Sequence, residues 1–355
     1  MSSPNPVELE VARDVPDGAS RAATPAGPKQ RSDFPRYLLS KVITALISFL
    51  FTLVIGFAMF SLMPSDPVHT LTRGRPTSPA QLEELRKELG VDLPKWEQFF
   101  HFVNNVLHGQ LGYSYQFSQP VTSLIGERLW PTLLLTGSST IISVILGLWL
   151  GVRSGWKHGS LFDRVSSGVS LTLWSVPTFW LGLILLVLAT STFTGIIPAG
   201  GYQTAAANYG LIEHWLDVGK HLLLPCLTLV LVVFAQYVTI MRSSIIDELG
   251  SPYLMTARAK GLRDDDVRRK HALPNALLPS VTIIFLQLGG IIGGAITVET
   301  VYSWPGLGYL TYQALQIPDI QLLEGTFLVF SGSVIVMNLL ADILYRFLDP
   351  RVRAQ

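Results

Sequence analysis

Apolar residues in this chain come in runs longer than a soluble core uses. They occupy Lys41 to Met63, Pro131 to Val152, Ser167 to Thr190, Leu222 to Met241, Ser280 to Tyr302 and Gly325 to Tyr345, each bounded by Pro, Gly or charge. A helix needs roughly 20 mostly apolar residues to cross the hydrocarbon layer, so the pattern predicts an all-α integral membrane protein with six transmembrane helices. Between the first two runs the period changes. Ser78, Pro79 and Gln81 read as a capping box, Leu82, Leu85 and Leu89 then share one helical face, and Gly90 ends it. From Pro94 onward Trp96, Phe99, Phe100, Val103 and Leu107 recur at helical spacing, which suits either a helix at the membrane boundary or packing on the bundle.

The polar stretches orient these spans. Arg31, Arg36 and Lys41 precede the first, and Arg346, Arg351 and Arg353 follow the last. The positive-inside rule therefore predicts both termini in the cytoplasm. Loops Arg153 to Arg164 and Arg242 to Pro279 are basic and fall inside. Ser191 to Lys220 and Ser303 to Glu324 carry almost no Lys or Arg and fall outside. The expected organisation is a disordered cytoplasmic tail (1–36), a first transmembrane helix (37–63), a structured extracytoplasmic region (64–130), a five-helix core (131–348) with a cytoplasmic loop (242–279), and a cytoplasmic C-terminus (349–355). The tail is rich in Pro, Ala, Ser and charge and has no apolar core to offset the entropy of ordering. Glu8, Glu10 and Asp14 sit where a cleavable signal would be apolar.

One charged island stands between the spans. Ser251 is placed to cap a helix with Pro252 at its first position, Leu254 to Lys260 continue it, and Gly261 supplies the left-handed residue that ends it. A second helix is expected to follow, with Asp264, Asp265 and Asp266 in its first turn and Arg268, Arg269 and Lys270 further along, the order the helix dipole favours. A connector could be far shorter, so this helix-glycine-helix reads as a docking surface as well as a topogenic loop.

Composition narrows the function. Charged residues make up 14% of the 355, and net charge is +1, so nothing points to nucleic acid. The single Cys226 lies in an apolar run and forms no internal disulfide. The middles of the spans hold no ionisable residue, whereas ion-coupled carriers need such groups at membrane depth; His221, Glu299 and Asp342 lie near span ends. No Gly-x-x-x-x-Gly-Lys-Ser/Thr loop is present to cradle a nucleotide's phosphates. Uphill transport would therefore draw its energy from another subunit. His69, His101 and His108 lack the spacing of a helical metal pair, and no Gly-x-Ser-x-Gly elbow occurs. Gly137, Ser138 and Ser139, and Gly289, Gly290, Gly293 and Gly294, are small enough for close helix approach; the latter set equally suits a translocation path or a bend.

These residues resemble the inner-membrane permease subunits of binding-protein-dependent ABC importers, in the dipeptide, oligopeptide and nickel branch. Thr256-Ala257-Arg258-Ala259-Lys260-Gly261-Leu262, followed by His271-Ala272-Leu273-Pro274-Asn275-Ala276 and Pro279, looks like that branch's EAA motif, with Met255 where the general motif has an acid. Gly112-Tyr113-Ser114, Pro120-Val121, Arg128, Pro131 and Thr132 look like its outer signature. Val298-Glu299-Thr300-Val301-Tyr302-Ser303-Trp304-Pro305-Gly306-Leu307-Gly308 and the ending from Asp342 to Asp349-Pro350-Arg351 agree. The resemblance implies no catalytic residue, metal or cofactor in this chain. It implies a homologous second permease, two ATPase subunits that bind ATP and Mg, an extracytoplasmic substrate-binding lipoprotein, and surrounding lipid. Tyr253 to Leu262 would couple to an ATPase, supported by Arg263, Asp264, His271, Leu273, Pro274 and Asn275. Gln236, Gln287, Gly290 and Gly294 are candidates for the substrate path by depth and polarity. Peptides are the expected cargo, with nickel chelates, glutathione or haem as alternatives. A gradient-driven carrier and a membrane scaffold or channel subunit are the competing classes.

Overall fold

A computed structural model describes residues 34–62, 78, 79, 81, 83, 92–193, 195–205, 209–290 and 295–348. Two units divide the chain, Met1–Ser40 and Lys41–Gln355; all packing described below lies within the second. Helix α1 spans Phe34–Ser61 and α2 Lys95–Leu107; a short ladder pairs β1 (Tyr113–Ser114) with β2 (Gln119–Pro120); then come α3 (Val121–Trp156), α4 (Leu161–Ser175), α5 (Thr178–Thr192) and α6 (Leu211–Leu249). Helices α7 (Pro252–Ala259) and α8 (Asp264–Asp266) lead through a π-helical stretch, Val267–Ala272, into α9 (Leu273–Gly290). The rest is α10 (Ile296–Val301), α11 (Leu307–Gln316) and α12 (Ile320–Leu348).

Among the described residues α1, α3, α6 and α12 are each long and apolar enough to cross a membrane, and α4 with α5 makes a bent pair. The bend of 101° corrects the continuous span expected over Ser167 to Thr190. Val176 precedes Pro177 and adopts extended backbone at φ −79°, ψ 129°, because the proline ring excludes the helical conformation one residue earlier. The second span also differs from expectation. It begins at Val121, and Pro131 lies inside the helix. Pro131 gives up one backbone hydrogen bond there, and its own carbonyl is engaged from outside by the Trp304 indole at 2.9 Å. The first helix begins at Phe34, ahead of the expected boundary at 37, and Met1 to Asp33 lie outside the described residues. The expected outer loop after Ser303 contains α11, and α12 starts early enough to carry Glu324.

The hairpin of β1 and β2 places Tyr113 opposite Pro120 and Ser114 opposite Gln119. It docks on the start of α12: Ser114 Oγ donates to Asp319 at 2.7 Å and the Tyr113 N–H donates to Gln321 at 2.7 Å. Ahead of it, the capping box closes as expected, with the Gln81 N–H donating to Ser78 Oγ at 3.3 Å and the Ser78 N–H donating to Gln81 at 3.1 Å; Leu82, Leu85, Leu89 and Gly90 lie outside the described residues. In α2, Phe99 and Phe102 stack on Phe57 of α1 with ring centroids 5.4 and 5.9 Å apart, while Trp96, Phe100 and Leu107 remain exposed. One edge of the aromatic stripe is thus packed on α1 and the other faces outward.

Burial departs from that of a soluble domain: small polar residues join an apolar core, and many large apolar side chains lie outside. Ser139, Ser143, Thr132 and Ser154 are buried, whereas Leu46, Ile47, Val187 and Trp174 are exposed, as suits helices whose outer solvent is lipid. The closest packing joins α3 to α6. Gly147, Gly151 and Gly155 recur every four residues on one face of α3; a Cβ on them would lie 2.5 Å from Tyr237 Cβ, 2.7 Å from Met241 Cβ and 2.8 Å from the Arg242 carbonyl. This stripe, not Gly137, sets the helix approach: a Cβ on Gly137 would meet nothing within 4 Å.

Candidate coupling site

The charged island folds as a short helix leaning back on the ends of longer ones. Pro252 opens α7, and Gly261, at φ +78°, closes it. The Leu262 N–H donates to the Ala257 carbonyl at 3.4 Å and the Gly261 N–H to the Arg258 carbonyl at 2.9 Å. That pair is the Schellman arrangement, which needs a left-handed residue where glycine stands. Ser251 precedes the helix but makes no cap; its hydroxyl donates to Glu248 at 3.2 Å instead.

One face of α7 is buried. Leu254 and Ala257 pack with Val267 and Ala272 against Trp156, the last residue of α3. Trp156 also donates its indole N–H to Asp264 at 2.8 Å, and the Arg258 guanidinium lies 5.6 Å over its ring and 3.3 Å from Asp264. Leu254 and Ala257 therefore hold the helix in place and present no side chain outward. Tyr253 also faces its own chain: its hydroxyl donates to Glu248 and accepts from the Asn275 amide at 2.9 Å, and that amide also donates to the His271 carbonyl at 3.2 Å. Burial, then the hydrogen bond to Glu248, pushes the Tyr253 hydroxyl above its ordinary pKa, so it stays protonated at neutral pH. The outward face is formed by Met255, Thr256, Ala259, Lys260, Gly261 and Leu262, all exposed.

The second helix departs from the expected separate brace. Arg263 starts it, the acids fill its first turn, and Asp265 pairs with Arg268 and with Arg269 at 3.1 Å, while Lys270 pairs with Asp266 at 2.9 Å and holds that carboxyl below its ordinary pKa. It then runs through the π-helical stretch, where the Leu273 N–H donates to the Arg268 carbonyl, straight into α9. The wider turn removes the clash that Pro274 would have with the carbonyl four residues back. Leu273 and Pro274 thus continue a helix in place of ending a loop. A further clasp joins the later part of α6 to α4: the Arg242 guanidinium donates to both carboxyl oxygens of buried Asp163, at 2.5 and 2.9 Å, and Ser154 and the Gly159 N–H donate to the same carboxylate.

The outer signature closes around a buried carboxylate. Thr132 Oγ1 donates to Glu299 at 2.8 Å while accepting from the Leu307 N–H at 2.7 Å, and the Tyr309 N–H donates to the other Glu299 oxygen at 3.0 Å. Any side chain on Gly306 would collide with that carboxyl, and a Cβ on Gly308 would lie 2.6 Å from Ile296 Cα. Pro305 joins this turn to Trp304, which reaches Pro131. Asp342 pairs with Lys41 at 2.9 Å. Of the path candidates, Gln236 is half-buried on α6. Gln287 and Gly290 lie on α9 with side chains outside the described set, as do Gly294, Asp349 and Pro350 altogether.

A family model described as binding-protein-dependent transport system inner membrane component matches residues 143–354, and its N-terminal counterpart matches 34–136. The chain belongs to this family. The dipeptide transport system permease protein DppB of Escherichia coli K12 is 35% identical over 90% of this chain and 98% of its own. The glutathione transport system permease protein GsiC of Pectobacterium atrosepticum is 37% identical over 89% and 98%, and a putative peptide permease of Brucella suis is 34% identical over 90% and 99%. The inward-facing MetNI methionine ABC transporter matches with a TM-score of 0.51 at 18% identity, over 64% of this chain and 96% of that one, and so shares the fold. The permease is a multi-pass inner-membrane protein of a binding-protein-dependent ABC importer and is not itself an enzyme. Trp156, Asp163, Arg242 and the Gly147 stripe escaped the sequence reading. Only the stripe had a signal, small residues at every fourth position; the others act through partners far along the chain.

Proposed function

We propose that this permease imports short peptides, paired with a homologous second permease, driven by two cytoplasmic ATPases and supplied by an extracytoplasmic binding lipoprotein. Both termini lie in the cytoplasm. The observation that carries the coupling role is α7 itself, a capped helix with its inner face clasped by Trp156 and Asp264 and its outer face free to enter a partner. Peptide cargo is supported by the printed functions of the dipeptide and putative peptide permeases among its relatives.

In this reading, ATPase closure moves α7. Trp156 passes that movement to α3, and the glycine stripe makes α3 and α6 shift together, because helices in backbone contact cannot slide without separating. The path then alternates between inward-facing and outward-facing states. The decisive experiment is uptake of labelled di- and tripeptides by cells with and without the gene, with glutathione, a nickel chelate and haem as competitors. Uptake is expected to stop on ATP depletion and to survive an uncoupler while ATP is maintained. Loss with the uncoupler alone would indicate a gradient-driven carrier. Failure of two P-loop ATPases to co-purify would favour a scaffold, and competition by glutathione alone would reassign the cargo.

A further inference from the structure

A cleft of about 350 Å³ opens between Glu127, Arg128, Trp130, Pro131, Tyr202 and Pro305. That is the lower end of the range for small-molecule sites. Its walls are pinned from behind. Trp304 holds the Pro131 carbonyl at 2.9 Å and stacks edge-on to Tyr202 at 5.1 Å, and the Gly201 N–H donates to the Tyr302 carbonyl at 2.9 Å. The neighbouring Thr132 is fixed by Glu299. The cleft is therefore shaped by its own fold before any ligand arrives.

Its cation is unusual. Arg128 is half-buried on the cleft wall, and among the described residues its guanidinium makes no hydrogen bond or ion pair; its Nε is shut off from solvent, so its terminal nitrogens are the ones a ligand would meet. A guanidinium fork offers two parallel donors that match a carboxylate or a phosphate. The adjacent Glu127 is exposed on the same rim. Flat apolar walls beside one cation and one anion are the complement of a short zwitterionic chain. Phosphate or a fatty chain would leave one of the two charges opposed or idle.

We infer that this cleft is a receiving subsite for the free C-terminal carboxylate of the peptide, held by Arg128 as substrate leaves the binding protein, with Glu127 facing the amino end. The inference rests on the peptide reading and on the proposed topology, which puts the cleft on the extracytoplasmic side. It makes Arg128 a specificity-determining residue in the permease, in addition to whatever selection the binding protein applies.

The test uses the complete importer in proteoliposomes, loaded with purified binding protein and one tripeptide in two forms, free acid and C-terminal amide, both first checked for capture by the binding protein. Arg128→Gln should raise the half-saturating concentration for the free acid about tenfold or more, the size of a lost charge-assisted hydrogen bond, and leave the amide unchanged. Arg128→Lys should recover part of the loss. Equal loss for both peptide forms with weaker association of the binding protein would make the cleft a protein-docking surface and overturn the inference. Unchanged free-acid uptake in Arg128→Gln would overturn it as well. Absence of peptide uptake by the wild-type importer would overturn the peptide reading itself, which is a distinguishable failure.

Discussion

Replacing Gly261 isolates backbone conformation from packing in the proposed coupling helix. Its φ is +78°, and a Cβ built there meets nothing within 4 Å, so a new side chain fits in space but not in conformation. An L-residue held left-handed costs about 1–2 kcal/mol. The free permease can relieve that strain by opening the bonds from Leu262 to Ala257 and from Gly261 to Arg258, each worth about 0.5–1.5 kcal/mol, and docking must then restore the left-handed turn at a comparable cost. At about 1.4 kcal/mol per tenfold, a Gly261→Val variant should bind its ATPase partners roughly 5- to 30-fold more weakly. Gly261→Asn should lose much less, since Asn tolerates this region. The assay is titration of detergent-solubilised permease complex with purified ATPase subunits, alongside ATP-driven uptake. Wild-type association in the Val variant, or equal loss for Val and Asn, would refute the reasoning.

Further outcomes follow from other close contacts. Gly306→Ala forces a methyl group into the Glu299 carboxyl and should destabilise the permease by about 1–3 kcal/mol, read as a lower unfolding temperature in detergent. Gly151→Leu should do the same by separating α3 from α6, where a Cβ would lie 2.7 Å from Met241 Cβ, while Gly137→Leu on the same helix should be nearly neutral. Trp156→Phe keeps a ring beneath Arg258 but removes the donor to Asp264; transport should fall several-fold with membrane insertion intact. If uptake in Trp156→Phe matches wild type, the proposed transmission through α3 is wrong.

Runs of apolar residues, charge bias and special backbone positions were readable because each acts locally. Lipid selects for length and hydropathy one segment at a time. Gly261 and Pro252 show their backbone geometry in their own identity, so the ends of α7 were legible. Pro177 carried an equally local signal that the apolar run around it concealed, and Pro131 carried one that the fold overrode. What only the tertiary structure decided is which distant groups satisfy one another. Glu299 meets Thr132 across 167 residues and Asp163 meets Arg242 across 79, and no periodicity records such a pairing. It likewise turned Leu254 and Ala257 inward and tied the exposed Tyr253 to Glu248 and Asn275, leaving Met255, Thr256, Ala259, Lys260, Gly261 and Leu262 as the outer face. The same logic left Arg128 without an acceptor among the described residues. Local rules determine which segments form and where they end; a buried donor's partner depends on chain closure in three dimensions, which the linear sequence does not display.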